Sequence, residues 1–320
     1  MGVPPETLAP HTSKIASHLS SEDGRTPRVS LKLLAKLPAE ALAKHAVPAV
    51  VELLQRSEDN DTQDAGFEVL EALRPADLMA VAGGFASKLL THSDSSMRVA
   101  TIDLLGSLLD PTALSKYGSA LVAVLRDQDP HVRSVASEAL VKLVNAAHGI
   151  SNDIARELVD TLGAKEAGAR DEARWALEQL VPLPAGKTLI EPLLSLLSQP
   201  QRESCSAALA VLARHHALSE VSADLDKRVI DCFTKGSTTV QGSALQVLAK
   251  FEPLVIANHA ADLVAHLGSE EWGLPFQVAY VLYKLEPDTL AEHQSALIKS
   301  VGTQSGPCAP PRCVCWACYH

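Results

Sequence analysis

Aromatic residues and long apolar runs are what this sequence has least of. Only 4% of its 320 residues are aromatic, and β-branched residues are modest beside Ala and Leu, which favours helices over strands. No run of 18 apolar residues occurs, so the sequence predicts no membrane-spanning helix. The first residues have neither a basic start nor an apolar core, so they do not resemble a signal peptide.

Positive charge and cysteine are also scarce. The chain has 28 Lys and Arg against 38 Asp and Glu, a net charge of −10, and no basic cluster. This balance argues against nucleic acid or an anionic membrane as a partner. Only Cys205 and Cys232 lie in the body of the chain, as in a reduced protein with buried thiols. We therefore expect a cytoplasmic protein that acts as a monomer.

One amphipathic helix pattern is abundant, and it is clearest in DQDPHVRSVASEALVKL, from Asp127 to Leu143. Asp129 is placed to cap a helix, and Pro130 stands at the first helical position, where its missing N–H costs nothing. Apolar residues from Val132 onward then recur on one face at helical spacing. Such a helix is marginal alone, because its apolar stripe needs a partner.

The sequence supplies those partners by repetition. The pattern returns every 32–39 residues on an anchor leucine, with a large apolar residue three positions later and a small or compact one four positions earlier. The anchors are Leu34, Leu70, Leu105, Leu140, Leu177, Leu209, Leu248 and Leu282. A first helix, commonly opened by proline, precedes each anchored second helix. The repeats predict one domain over residues 1–301, with about eight helix pairs and a ninth first helix from Pro287 to about Val301.

Four consecutive repeats carry arginine seven residues before the anchor, namely Arg98, Arg133, Arg170 and Arg202. A cation in the first turn of a helix opposes the helix dipole. We therefore expect each arginine to have an acidic partner on a neighbouring loop.

The run D-x-D-P-x-V-R-x-x-A-x-x-x-L, from Asp127 to Leu140, resembles a HEAT repeat of the armadillo-like superfamily. The resemblance covers roughly residues 5–301 and extends to scaffolds such as the importins. It implies an all-α fold, a right-handed α-solenoid (superhelix) whose second helices line the concave face. It also implies a ladder in which a turn Asp pairs with the Arg of an adjacent repeat. Asp127 and Arg133 have the matching offset, but His92 takes the Asp position for Arg98, so we expect a patchy ladder.

Enzyme functions find less support than binding. The iron-dependent deoxyhypusine hydroxylase, which has this fold, carries several His-Glu dipeptides, whereas this chain has twelve His and no such pair. A phycobilin-lyase-like relative or another enzyme subunit stays open as an alternative, although no nucleophile, base and orienting group stand out. Three histidines recur six residues after an opening proline, at His11, His259 and His293. We interpret them as part of the repeat consensus, and we expect no metal or cofactor.

Residues 302–320 change composition abruptly. They contain Cys308, Cys313, Cys315, Cys318 and His320. The spacing C-x4-C-x-C-x2-C departs from the paired C-x2-C arrangement of structural zinc sites. The sequence favours a disordered Cys-rich tail, and a zinc or redox role is the alternative.

The best candidates for binding are the outward positions of the second helices, two residues before each anchor. Asp103 and Glu138 are charged at this position, as are Lys32 and Glu68, while Trp175 and Tyr280 are aromatic. Exposed Trp and Tyr commonly anchor protein interfaces, and half-burial against neighbouring helices is the alternative.

Two further aromatic residues join these candidates. Tyr283 lies beside Tyr280, and Trp272 stands on an intra-repeat turn. The candidates together predict a non-catalytic scaffold that holds a partner protein with a basic segment on the concave face. A tubulin-binding array, which presents Trp and Lys on such turns, is the alternative within the binding class.

Overall fold

A computed structural model of the chain describes residues 5–144, 151–179, 187–198, 202–214, 224–271 and 273–302. These residues form α-helices joined by turns and a few 3-10 segments, with no strand among them. The chain divides into two compact units, Met1–Leu180 and Val181–His320.

The first unit is a stack of five helix pairs. Its α-helices are α1 Pro5–Leu8, α2 Thr12–Ser17, α3 Thr26–Leu34, α4 Ala39–His45, α5 Val47–Arg56, α6 Asn60–Glu71, α7 Pro75–Leu89, α8 Ser95–Leu108, α9 Pro111–Leu114, α10 Gly118–Val124, α11 Pro130–Val144, α12 Asn152–Leu162 and α13 Ala167–Glu178. The second helices are α3, α6, α8, α11 and α13, and each contacts the next one in the series.

The second unit repeats the arrangement. Its α-helices are α14 Lys187–Leu197, α15 Arg202–Ala213, α16 Leu225–Lys235, α17 Thr238–Leu248, α18 Pro253–Ala257, α19 Ala260–Ala265, α20 Leu274–Leu282, α21 Pro287–Glu292 and α22 Gln294–Gly302. The second helices α15, α17 and α20 contact one another in sequence order. Helices α21 and α22 together form the predicted ninth first helix.

The predicted apolar face is buried in every repeat. All eight anchor leucines are at most 2% exposed, and the residue four positions before each is also buried. The glycine in this column, Gly66, shows why small size matters, because a Cβ there would lie 2.6 Å from Leu54 of α5. The compact residue in α6 therefore leaves room for the Leu54 side chain of the paired helix α5.

The large apolar residue three positions after each anchor is buried in the described repeats, with one exception. Leu108 is partly exposed, and the next residue, Leu109, is buried in its place. The reason is that α8 ends at Leu108 and Leu109 already has an extended backbone, which turns its side chain inward. Leu180 of the same column lies outside the described residues.

The first helices are less regular than the sequence predicts. Pro111, Pro253 and Pro287 each stand at the start of a helix, as expected. Several first helices are nevertheless broken at the recurrent histidine position. His11, His259 and His293 have φ between −99° and −117° and ψ near 5–10°, which ends one helical piece and starts the next.

Candidate functional site

The outward positions of the first unit are Lys32 on α3, followed by Glu68, Asp103, Glu138 and Trp175, one residue on each of α6, α8, α11 and α13. We call the last four residues, Glu68, Asp103, Glu138 and Trp175, the acidic row. The three carboxylates are exposed, and the Trp175 side chain is 39% exposed. Trp175 thus lies between the two alternatives that the sequence left open, an exposed interface anchor and a residue half-buried against neighbouring helices. The residues are separated by 35, 35 and 37 positions, so they mark the same place in consecutive repeats.

Helix geometry explains why this row faces outward. A residue two positions before the anchor lies about 200° around the helix from it, opposite the buried leucine. Consecutive helices in such a stack lie about 8–10 Å apart. The acidic row therefore presents one carboxylate per helix, at roughly regular intervals, followed by an indole.

The arginine column fixes one repeat against the next at Arg98. Its guanidinium donates two hydrogen bonds of 2.7 Å to the carboxylate of Asp127, on the turn of the following repeat. It also donates to the carbonyls of His92 and Ser93 on its own turn. Both charged side chains are only 12% exposed. This is the acidic partner on a neighbouring loop that the sequence predicts.

A second ion pair joins the first two repeats. Arg28 donates a hydrogen bond of 2.8 Å to Asp59 and forms an ion pair with Asp61 at 2.9 Å. Hydrogen bonds from Thr62 and then from Arg28 lower the pKa of Asp59. The carboxylate of Asp59 also caps α6 through the backbone N–H of Thr62. One carboxylate therefore both begins a helix and links two repeats.

At Arg133 and Arg170, backbone carbonyls take the place of the expected carboxylate partner. Arg133 donates instead to the carbonyls of Asp127 and Gln128, at 2.9 and 3.1 Å. Arg170 makes the equivalent bonds to Ala164 and Lys165, at 2.8 and 2.7 Å. The guanidinium groups of Arg133 and Arg170 thus each donate to carbonyls of the turn that precedes their own helix. These hydrogen bonds explain why a cation stands in the first turn of the helix. Arg202 is exposed at the start of α15.

The sequence of the next turn accounts for the difference at Arg133. Asp127 stands 13 residues before its anchor, and Ala164 has that position in the following repeat. The guanidinium of Arg133 packs over Gly168, where a Cβ would lie 2.5–2.7 Å from it, and its Nε is buried without a partner. The ladder is therefore interrupted where Ala replaces Asp.

The described aromatic candidates of the second unit are Tyr280 on α20 and Tyr283, the C-cap residue of α20. Tyr280 is 62% exposed and Tyr283 is 70% exposed, so half-burial does not apply to them. Sequence reasoning missed Phe276, which is 75% exposed. Its spacing of four residues from Tyr280 and seven from Tyr283 was the available signal. Trp272, the residue that fitted a tubulin-binding array, lies outside the described residues.

One of the recurrent histidines, His259, links two repeats. His259 Nε2 lies 2.9 Å from the Asp226 carboxylate of the preceding repeat, and both side chains are largely buried. Burial, the largest single effect, raises the pKa of Asp226, but the hydrogen bond with His259, the backbone N–H of Lys227 and the charges of His259 and Lys227 together lower the pKa of this carboxyl below its usual value. Across the described ranges no group of three or more His, Cys, Asp or Glu is arranged to hold a metal ion. The cysteines and histidine of the tail, and the His215–His216 pair, lie outside those ranges.

The two cysteines in the body of the chain form a buried thiol pair. Cys205 Sγ and Cys232 Sγ are 3.5 Å apart, and both are free thiols. The hydrogen bond with Cys205 and burial raise the pKa of the Cys232 thiol. No helix in the described part of the chain has the length and apolar character needed to span a membrane.

Comparison with known proteins extends the fold description. No protein-family model matches the chain, and no curated protein matches it. Among solved structures, the chain resembles Kap121p bound to Nup53p with a TM-score of 0.65, 16% identity and 96% of this chain covered. For the karyopherin Kap121p bound to the SUMO protease Ulp1p, the TM-score is 0.66, the identity is 16% and 96% of this chain is covered. For Kap121p bound to RanGTP, the TM-score is 0.65, the identity is 16% and 94% of this chain is covered.

The chain has the helical solenoid fold of these karyopherins. Identities of about 16% show the fold alone, and the chain spans 35–36% of the length of these karyopherins. The fold predicted from the repeated leucine pattern is thereby confirmed. In these structures Kap121p is bound to other proteins.

Proposed function

We propose that this chain is a non-catalytic scaffold that binds a partner protein through the acidic row. The observation that carries the proposal is the recurrence of an exposed carboxylate at one position in three consecutive repeats, followed by Trp175. The partner segment is extended and basic. Its apolar residue packs on Trp175, since indoles are frequent interface anchors.

The spacing of the row defines the kind of segment. Helices about 8–10 Å apart match about three residues of an extended chain, which rises about 3.3 Å per residue. We therefore propose a partner segment with Lys or Arg at about every third position. If the array curves as in the resembling family, the row lies on its concave face. Net charge of −10 adds long-range attraction for such a segment.

The likeness to solved karyopherins supports this class of function. Kap121p has been solved in complexes with Nup53p, Pho4p and Ste12p, and as a variant in which three acidic residues become Lys. From these karyopherins we carry over to this chain only the general mode of action, which is protein binding by a helical array. We also propose that the chain acts as a monomer in the cytoplasm, which the unlinked thiols of Cys205 and Cys232 support.

Charge reversal tests the acidic row directly. The triple variant Glu68→Lys, Asp103→Lys and Glu138→Lys is compared with Glu52→Lys, Asp153→Lys and Asp160→Lys, which reverses three exposed acids on the first helices α5 and α12. The probe is a fluorescent peptide with Lys at every third position and one Trp, measured by anisotropy at two salt concentrations.

The expected result is a loss of affinity by about 30- to 100-fold for the row variant, because exposed ion pairs contribute about 0.2–1 kcal/mol each and reversal also adds repulsion. The control variant should lose far less affinity for the peptide. Added salt should reduce the difference in affinity between the parent chain and the row variant. Equal losses in the two variants would show that only net charge matters and would refute the site.

A further inference from the structure

Two thiols meet at the junction between two repeats of the second unit. Cys205 lies on α15, the second helix of one repeat, and Cys232 lies on α16, the first helix of the next repeat. Their Sγ atoms are 3.5 Å apart and share a hydrogen bond. They also lie 4.0 and 3.7 Å from the carbonyl oxygen of Leu197, at the end of α14. Three helices therefore hold the two sulfur atoms side by side.

The sequence carries this cysteine pair at one junction of the array only. The two positions stand four residues before one anchor and 16 residues before the next. At the other junctions the same positions carry no thiol, namely Ser30 and Leu54, Gly66 and Leu89, Thr101 and Val124, Ala136 and Thr161, Ala173 and Leu193, and Ala244 and His266. Packing of a junction therefore does not require cysteine. The only two cysteines of residues 1–302 are nevertheless the two that contact each other.

The separation of the two sulfur atoms permits a disulfide after a small movement. A disulfide bond is about 2.05 Å long, so the two Sγ atoms need to approach each other by about 1.5 Å. Cys205 and Cys232 are 5% and 8% exposed, which leaves each residue a small accessible area. A small oxidant therefore reaches the thiols more readily than a protein or a bulky reagent does.

The hydrogen bond between the thiols distinguishes their chemical roles. With Cys232 as the donor, this bond lowers the pKa of the Cys205 thiol, and burial opposes that effect. The same bond, with burial, raises the pKa of Cys232. Because the thiolate is the attacking form, Cys205 is the thiol that meets the oxidant, and Cys232 is the resolving thiol.

We propose that Cys205 and Cys232 form a reversible disulfide when the protein meets hydrogen peroxide. Cys205 Sγ loses its proton and attacks one peroxide oxygen, so that an S–O bond forms and the O–O bond breaks. The departing hydroxide takes up the proton as water, which leaves a sulfenic acid on Cys205.

The second step closes the disulfide. Cys232 Sγ attacks Cys205 Sγ, an S–S bond forms, the S–O bond breaks, and the departing hydroxide takes the Cys232 proton as a second water. The two thiols together lose two electrons, and one peroxide is reduced to two waters. Two molecules of a low-molecular-weight thiol restore the dithiol and leave as their own disulfide.

The disulfide joins two consecutive repeats covalently. In a repeat array each repeat contacts mainly its neighbours, so the junctions are where the array can open. A link between α15 and α16, across 27 positions of the chain, also reduces the conformational freedom of the unfolded state. The oxidised chain is therefore more resistant to unfolding than the dithiol form. This proposal is independent of the acidic row.

The test uses the full chain with Ser in place of the cysteines of residues 302–320, namely Cys308, Cys313, Cys315 and Cys318. After treatment with hydrogen peroxide and an acid quench, a maleimide counts free thiols in denaturant, and peptide mass spectrometry locates any link. The matched variants are Cys205→Ala and Cys232→Val, because Ala136 and Val124 have the corresponding positions in other repeats. Far-UV circular dichroism checks that helicity is kept.

The two thiols of the parent chain should disappear together, and the peptides that contain them should be joined and lighter by two hydrogen atoms. The urea midpoint should rise by about 0.5–1 M on oxidation and return with dithiothreitol. Cys232→Val should instead accumulate a sulfenic acid on Cys205, which dimedone traps, and its midpoint should not rise, because no second thiol resolves it. Cys205→Ala should react with peroxide at least about tenfold more slowly than the parent chain.

Four results would overturn the proposal. Both thiols could survive a peroxide concentration that oxidises the urea-unfolded chain, or the product could be a disulfide between two chains. The urea midpoints of the oxidised and reduced chains could be equal. Finally, equal rates for the parent chain and Cys205→Ala would show that Cys232 reacts without its neighbour.

Discussion

Replacing Arg98 by Ala should destabilise the first unit more than the same change at Arg133. Arg98 loses two hydrogen bonds to the Asp127 carboxylate and two to backbone carbonyls, whereas Arg133 loses only two bonds to carbonyls. The two positions are otherwise matched, seven residues before the anchors of adjacent repeats. The difference between the two variants therefore isolates the ion pair between repeats.

The contacts set the magnitude of this difference. A hydrogen bond to a charged group contributes about 1.5–3 kcal/mol, and the Asp127 carboxylate, only 12% exposed, would lose its cation. Breaking a fully buried pair costs about 3–5 kcal/mol, and partial exposure reduces that cost. We expect a loss of about 3–4 kcal/mol for Arg98→Ala and about 1–2 kcal/mol for Arg133→Ala.

Urea unfolding of the full chain measures both losses. Replacing Trp272 and Trp316 by Phe in every variant leaves Trp175 as the single indole, so its fluorescence follows the first unit. A double-mutant cycle with Asp127→Asn then gives the coupling, expected to be about 2 kcal/mol. A coupling below about 0.5 kcal/mol, or equal losses for the two arginine variants, would show that the pair between repeats does not stabilise the stack.

Two further predictions concern backbone and titration. Gly84→Ala, in open space within α7, should stabilise the first unit by about 1 kcal/mol in the same unfolding assay, whereas Gly168→Ala should stabilise it less, because the new Cβ displaces the Arg133 guanidinium. Hydrogen bonds from Thr26 lower the pKa of Asp23 from 3.8 to about 2, so its contribution is full above about pH 4 and is lost as the pH falls towards 2. The urea midpoints of the parent chain and Asp23→Ala should therefore converge over that range, and a constant difference would contradict the assignment.

Sequence reasoning succeeded where the pattern is local. The cap at Asp129 illustrates this, since its carboxylate accepts the backbone N–H of His131 at 2.8 Å, as the order Asp-Pro predicts. Reasoning from spacing failed where partners come from another repeat. The carboxylate at Asp127 bonds to Arg98, 29 residues earlier, while Arg133, only six residues away, bonds to the backbone carbonyl of Asp127.

The order of residues along the chain determined the helix pairs, because each residue advances about 100° around a helix and one face must collect the leucines. It also determined which positions point away from the core, including the acidic row. Only the tertiary structure decided how far Trp175, Tyr280 and Phe276 emerge from their neighbours, and which arginine meets a carboxylate. Those outcomes depend on the separation and offset of stacked helices, which are set by side-chain packing across the whole interface and not by any single repeat.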